Sequence, residues 1–216
     1  MRSFFVRLAK MIFGFFLFAL GIIITIQAKI GYAPWDVFHV GVSQVTGLSL
    51  GTVSILTGLI IILITALMKE TLGVGSILNM LMIGMFIDLI SGIGKIKPAQ
   101  NFLSGLIMMM FGLVIVGIAS YFYISAGFGA GPRDGLMVAL SRRSGKSIGL
   151  CRGLLEFAAT AAGYFLGGMA GIGTILYVVL IGIVVEIVFR LFRFDPKAVR
   201  HETMKETLSL FRKGAE

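Results

Sequence analysis

The chain has 216 residues, of which 57% are hydrophobic and 13% charged, with a net charge of +9. This composition excludes an ordinary soluble domain, and a single cysteine, Cys151, excludes an internal disulfide framework or a paired-cysteine metal site. Nucleic-acid binding is not what the basic excess implies, because Lys and Arg gather at the ends of apolar runs, as on the cytoplasmic face of a membrane protein.

Charge-free runs predict membrane spans near 11–28, 50–68, 74–93, 102–124, 152–169 and 172–190. Each is close to the roughly 20 residues needed to cross about 30 Å of hydrocarbon. The N-terminal stretch has the basic start and apolar middle of a secretory signal. It is read instead as a retained helix, because its counterpart around Met108 to Ala126 lies mid-chain.

That counterpart exists because the chain repeats itself. Shifted by about 98 positions, GYAPWDVFHVGVSQVTGLSLG at 31–51 falls on GAGPRDGLMVALSRRSGKSIG at 129–149. Pro34 meets Pro132, Asp36 meets Asp134, Ser49 meets Ser147 and Gly51 meets Gly149. Downstream, Gly73, Gly75 and Gly84 meet Gly171, Gly173 and Gly182. The expected organisation is a first repeat at 1–93, a linker at 94–101, a second repeat at 102–193 and a basic tail at 194–216.

Three spans per repeat would turn the second copy upside down. Charge placement agrees: with the N-terminus inside, all but Lys29, Lys95 and Lys97 of the 19 basic residues fall on the cytoplasmic side. At matched positions Trp35, Gln44, Val45, Leu48 and Ser54 become Arg133, Arg142, Arg143, Lys146 and Arg152. The fold expected is therefore all-α: six transmembrane helices as two inverted three-helix repeats, with both termini cytoplasmic.

Each repeat also encodes a short helix between its first two spans, at 34–46 and 132–144. Pro34 and Pro132 suit the first helical position, and Asp36 and Asp134 place a carboxylate in the first turn. Gly47 and Gly145 suit C′ positions, while Ser49 and Ser147 suit the N-caps of the next span. About twelve residues rise some 18 Å, too little to cross. In the first copy Asp36, His39, Ser43 and Thr46 form a narrow polar stripe, which favours a broken or re-entrant helix over one lying flat. The leads GVGS at 73–76 and GIGT at 171–174 predict turns with a Ser or Thr N-cap. In the tail, the spacing of Val199, Met204, Leu208 and Phe211 predicts a helix resting on anionic inner-leaflet lipids.

At GYAPWD…TGLSLGT and GAGPRDG…SGKSIGL the sequence resembles the YczE/YyaS/YitT family of bacterial multi-pass membrane proteins, in particular its YczE branch. The resemblance extends to about Arg193. It implies an integral protein of the bacterial cytoplasmic membrane and supplies no reaction or substrate.

The residues expected to form a substrate or ion site are Gly31, Pro34, Asp36 and His39 with Gly129, Pro132 and Asp134. Ionisable groups at membrane depth point to function, and inverted half-helices meeting at the midplane are a transporter arrangement. A carboxylate at each helix start argues against an anion and for a proton, a cation or a positively charged substrate, whereas Arg133 argues the other way. Simple capping remains the competing account of both aspartates. His39 could relay a proton or make a local hydrogen bond. Arg152 and Glu156, four apart, are expected to form a structural ion pair. Asp88 and Glu186 are expected to pair with nearby basic residues. Ala159, Gly163, Gly167 and Gly171 form a small-residue row suited to close helix packing within the chain.

No HExxH or P-loop motif is present, and no enzyme activity, cofactor or metal is expected. The function expected is a transporter or channel-like carrier of a small solute or ion. The alternative is an accessory or regulatory membrane protein acting through cytoplasmic partners. The partners expected are the lipid bilayer, anionic inner-leaflet lipids for the basic tail and a small solute or ion, with no nucleic acid and a homo-oligomer left open.

Overall fold

The computed structural model describes residues 2–70, 73–129, 131–199 and 202. Among them the regular structure is helical: α1 (Arg2–Gln27), α2 (Pro34–Thr46), α3 (Leu50–Leu67), α4 (Val74–Ile93), α5 (Phe102–Ile124), α6 (Pro132–Ser144), α7 (Ile148–Phe165) and α8 (Ile172–Leu191), then a 3₁₀ turn at Pro196–Ala198. Five of these, α1, α3, α4, α5 and α8, are long and apolar enough to cross a membrane. The sixth expected span, α7, is as long as α3 but carries Arg152 and Glu156. The predicted tail helix lies outside the described residues.

The elements recur with the sequence repeat. Adding 98 to the bounds of α2, α3 and α4 gives those of α6, α7 and α8: 34 to 132, 50 to 148, 74 to 172. Local chemistry explains the shared bounds. The short helices start at Pro34 and Pro132 and stop at the left-handed glycines Gly47 and Gly145. Ser49 and Ser147 then cap α3 and α7, accepting from Thr52 N and Leu150 N.

Some boundaries differ from the expected ones. The first helix starts at Arg2 rather than near 11, because hydrogen bonding continues past the apolar stretch. Arg7 there donates to Ala126 O at 2.8 Å, and Lys10 sits over the Tyr121 ring. The helix expected at 152–169 runs 148–165, started by the Ser147 cap and ended before Gly167, which has φ +96°. The hydroxyl of Thr174 is not an N-cap but lies three residues after one, accepting from Gly171 N, and Gly73 and Gly171 hold the cap positions.

Packing is organised about α1 and α5, which cross closely at glycines. A Cβ on Gly21 would lie 3.0 Å from Gly112 O, and one on Gly14 would lie 2.8 Å from Tyr123 N. Helix α4 packs on α1, and α8 on α5. The short helices are exchanged between halves, α2 against α7 and α6 against α3. Of the small-residue row, Gly163 serves the first of these contacts, since a Cβ on Gly41 would lie 2.5 Å from its oxygen, whereas Gly167 and Gly171 lie beyond the end of α7 at Phe165 and do not continue the row. Buried hydroxyls of Thr25, Thr65 and Ser120 donate to carbonyls of their own helices, so none competes for a partner elsewhere.

Candidate functional site

Extended leads deliver both short helices into the interior. Gly31 and Gly129 have φ of +121° and +122°, a region that L side chains rarely adopt, so both positions require glycine. Each lead is pinned by the other half. Gly173 N donates to Ile30 O and Gly75 N to Phe128 O, both at 2.8 Å, and Tyr32 N donates to Met169 O at 3.0 Å. Glycines are needed at 73, 75, 171 and 173 because backbone meets backbone there. The buried polar groups of the leads thereby find partners.

The two Pro-x-Asp starts lie together. The Arg133 guanidinium sits 4.9 Å from the centroid of the Trp35 ring, so the second residue of α6 stacks on the second residue of α2. Between these helix starts lies a cavity of about 410 Å³. Its wall is built from matched positions of the two halves. Ala33 and Gly131, Pro34 and Pro132, Trp35 and Arg133, and Asp36 and Asp134 all line it, each pair 98 residues apart. So do Ser54 with Arg152, Gly58 with Glu156, Asn79 with Tyr177, and Ile83 with Ile181.

The chemistry of this wall is uneven. Three carboxylates, Asp36, Asp134 and Glu156, face two guanidiniums, Arg133 and Arg152. Arg133 is within electrostatic reach of all three acids. Arg152 Nε donates to Glu156 Oε1 at 2.8 Å across one helical turn. Tyr123, Tyr177 and Phe189 complete an apolar and aromatic surround.

Of the other expected site residues, His39 lies behind the cavity rather than in its wall. It is 1% exposed, with Nδ1 3.6 Å from Asp36 Oδ1, and its Nε2 has no hydrogen-bond partner. Asp36 itself is 3% exposed. Gly31 and Gly129 shape the leads and do not reach the cavity. The acids of α4 and α8 differ. Glu186 pairs with Arg190 at 2.5 Å, but Asp88 does not pair with Lys95 or Lys97. Instead Asp88 accepts from Gly51 N at 2.7 Å and from the Ser49 hydroxyl at 2.6 Å, because Gly51 lets α3 approach α4 closely enough. Sequence reasoning missed Trp35 and Arg133 as a stacked pair and Asn79 and Tyr177 as lining residues. Their signal was positional: all four occupy matched sites in the repeat.

No solved structure matches the chain. It is 36% identical to the "Uncharacterized membrane protein YczE" of Bacillus subtilis over 176 residues, 80% of each chain. It is 33% identical to an "Uncharacterized protein" of Haemophilus influenzae over 175 residues, 79% of each. It is also 30% identical to the "Uncharacterized protein YyaS" of Bacillus subtilis, covering 87% of this chain and 92% of that one. These similarities and the long apolar helices make it a multi-pass membrane protein. The model of a "Family of unknown function (DUF6198)" matches residues 5–190, and the chain belongs to that family.

Proposed function

We propose that the protein is a carrier of a small cation, inorganic or organic, which binds in the cavity between the two Pro-x-Asp helix starts. One observation carries the reading: the wall of a single cavity is made from matched residues of both repeats. Alternating access from two sides of a membrane requires such a shared, central site. In this reading α7 is the sixth span, its Arg152–Glu156 pair turned to the cavity rather than to lipid, and the halves are inverted. Both short helices are re-entrant. This is supported by burial of Pro34, Asp36 and Val37 at the start of α2 and exposure of residues 44–47 at its end. The termini lie in the cytoplasm, as the charge distribution favours.

The charge balance selects the ligand's sign. Three carboxylates against two guanidiniums leave one negative charge in excess, which a monocation neutralises. Tyr123, Tyr177 and Trp35 add ring faces suited to an ammonium group.

The test is charge displacement on solid-supported proteoliposomes after jumps of sodium, potassium, methylammonium and tetramethylammonium. At least one should produce a protein-dependent current. Asp36→Asn and Asp134→Asn, each verified as monodisperse and inserted, should abolish it. Silence towards every one of the four cations, or currents surviving both replacements, would overturn the proposal.

A further inference from the structure

The two halves match in sequence but not in packing, and the difference falls at one seam. In the first half α3 and α4 are in close contact: a Cβ on Gly84 would lie 2.7 Å from Gly51 O, and Asp88 latches the seam through Gly51 N and the Ser49 hydroxyl. The matched residues of the second half are Gly149, Gly182, Glu186 and Ser147. There α7 and α8 form no packed seam. A Cβ on Gly149 or on Gly182 would meet nothing within 4 Å, and Glu186 turns to Arg190. Matching glycines and a matching acid, Asp88 in one half and Glu186 in the other, are present, and only the first set is engaged.

The cavity follows this asymmetry. Beyond its matched centre it extends along Leu155, Gly182, Val185 and Phe189 of α7 and α8. The corresponding positions in α3 and α4 (Thr57, Gly84, Ile87 and Ser91) are shut out of it.

We infer that α7–α8 and α3–α4 are the two gates of the cavity and that the structure has the first open and the second shut. The chain also adopts the exchanged state, in which Gly149 closes on Gly182 and Glu186 accepts from Gly149 N and the Ser147 hydroxyl, while the Gly51–Gly84 seam parts. A repeated sequence that can build the closed seam once holds the residues to build it again. With the termini inside, the open gate lies at the cytoplasmic ends of α7 and α8, so the state described faces the cytoplasm. The inference rests on the carrier reading for its purpose but not for its measurement.

Pulsed dipolar EPR on the full-length protein in nanodiscs tests it. In a Cys151→Ala background, spin labels go on the exposed matched pairs Leu56 with Leu81 and Leu154 with Val179. Each pair should give two distances, with the 154–179 distance short in the state where the 56–81 distance is long. Gly182→Leu fits the open seam and blocks its closure, so it should deplete the exchanged state about tenfold or more. Asp88→Asn cannot accept both latch hydrogen bonds, so it should enrich that state by about tenfold. One unchanged distance per pair in all three proteins would overturn the inference. Exchange of both distances without any cation current would sustain the gates and remove the carrier.

Discussion

Replacement of Gly41 by Ala is a severe test of the packing that holds α2. The added Cβ would lie 2.5 Å from Gly163 O and 3.0 Å from Leu166 Cβ. An ordinary contact is at least 3.4 Å, so the shortfall against the carbonyl is 3.4 − 2.5 = 0.9 Å. A backbone oxygen within α7 cannot rotate aside as a side chain would, so the helices must separate. Overpacking of this kind costs about 1–3 kcal/mol. The gain in helix propensity, roughly 0.5–1 kcal/mol, offsets part of it. A net loss of about 1–2 kcal/mol is expected. Gly153 on α7 supplies the opposite sign, because a Cβ there meets nothing within 4 Å. Gly153→Ala should therefore stabilise by about 0.5–1 kcal/mol. Both are measured by unfolding in mixed detergent–SDS micelles, followed by far-UV circular dichroism and by emission of Trp35. That residue is the single tryptophan, and it sits at the start of α2. If Gly41→Ala were as stable as the parent, or Gly153→Ala the more damaging of the two, the packing argument would fail.

Other consequences can be checked in the same preparations. Arg133→Gln removes the cation from the Trp35 ring face and should change the Trp35 emission spectrum while far-UV circular dichroism stays the same. Arg152→Gln alone should be less stable than Arg152→Gln with Glu156→Gln. The single change strands a carboxylate that is only 18% exposed, and a gap of about 1–3 kcal/mol is expected in the micelle assay. A titration of methylammonium should quench or shift Trp35 emission in the parent and not in Asp36→Asn, a binding readout that needs no transport. Deletion of the residues after Arg193 should leave cation currents intact, whereas a protein acting through cytoplasmic partners would lose its activity with that deletion.

Much of the architecture could be read from residues whose effect is local. Pro34, Pro132, Gly47, Gly145, Ser49 and Ser147 each act within a few residues of themselves, so their spacing gave the short helices to the residue. Ends governed by tertiary packing were less legible. Hydropathy stopped the first span at its basic residues, yet α1 continues through Arg7 and Lys10, which find a carbonyl and a ring on α5 and its following turn. The Asp88 reading failed for a related reason. Lys95 and Lys97 are near in sequence, but the close α3–α4 contact brings the Gly51 amide nearer in space. At the candidate site, the repeat register identified Pro34, Asp36, Pro132 and Asp134 as counterparts, but nothing in one dimension says that Trp35 and Arg133 would stack. His39 was drawn into the site by helical spacing, and the structure puts Asp36 between it and the cavity.

The reciprocal pinning of the two leads constrains how the molecule is made. Ile30 O waits for an amide at Gly173, more than 140 positions later in the chain, so the first lead stays unsatisfied until α8 has been synthesised. The cavity between the helix starts, whose wall takes in Tyr177, Ile181 and Phe189 of α8, is therefore complete only once α8 is in place. A product truncated before Gly173 thus has neither a pinned first lead nor a complete cavity wall.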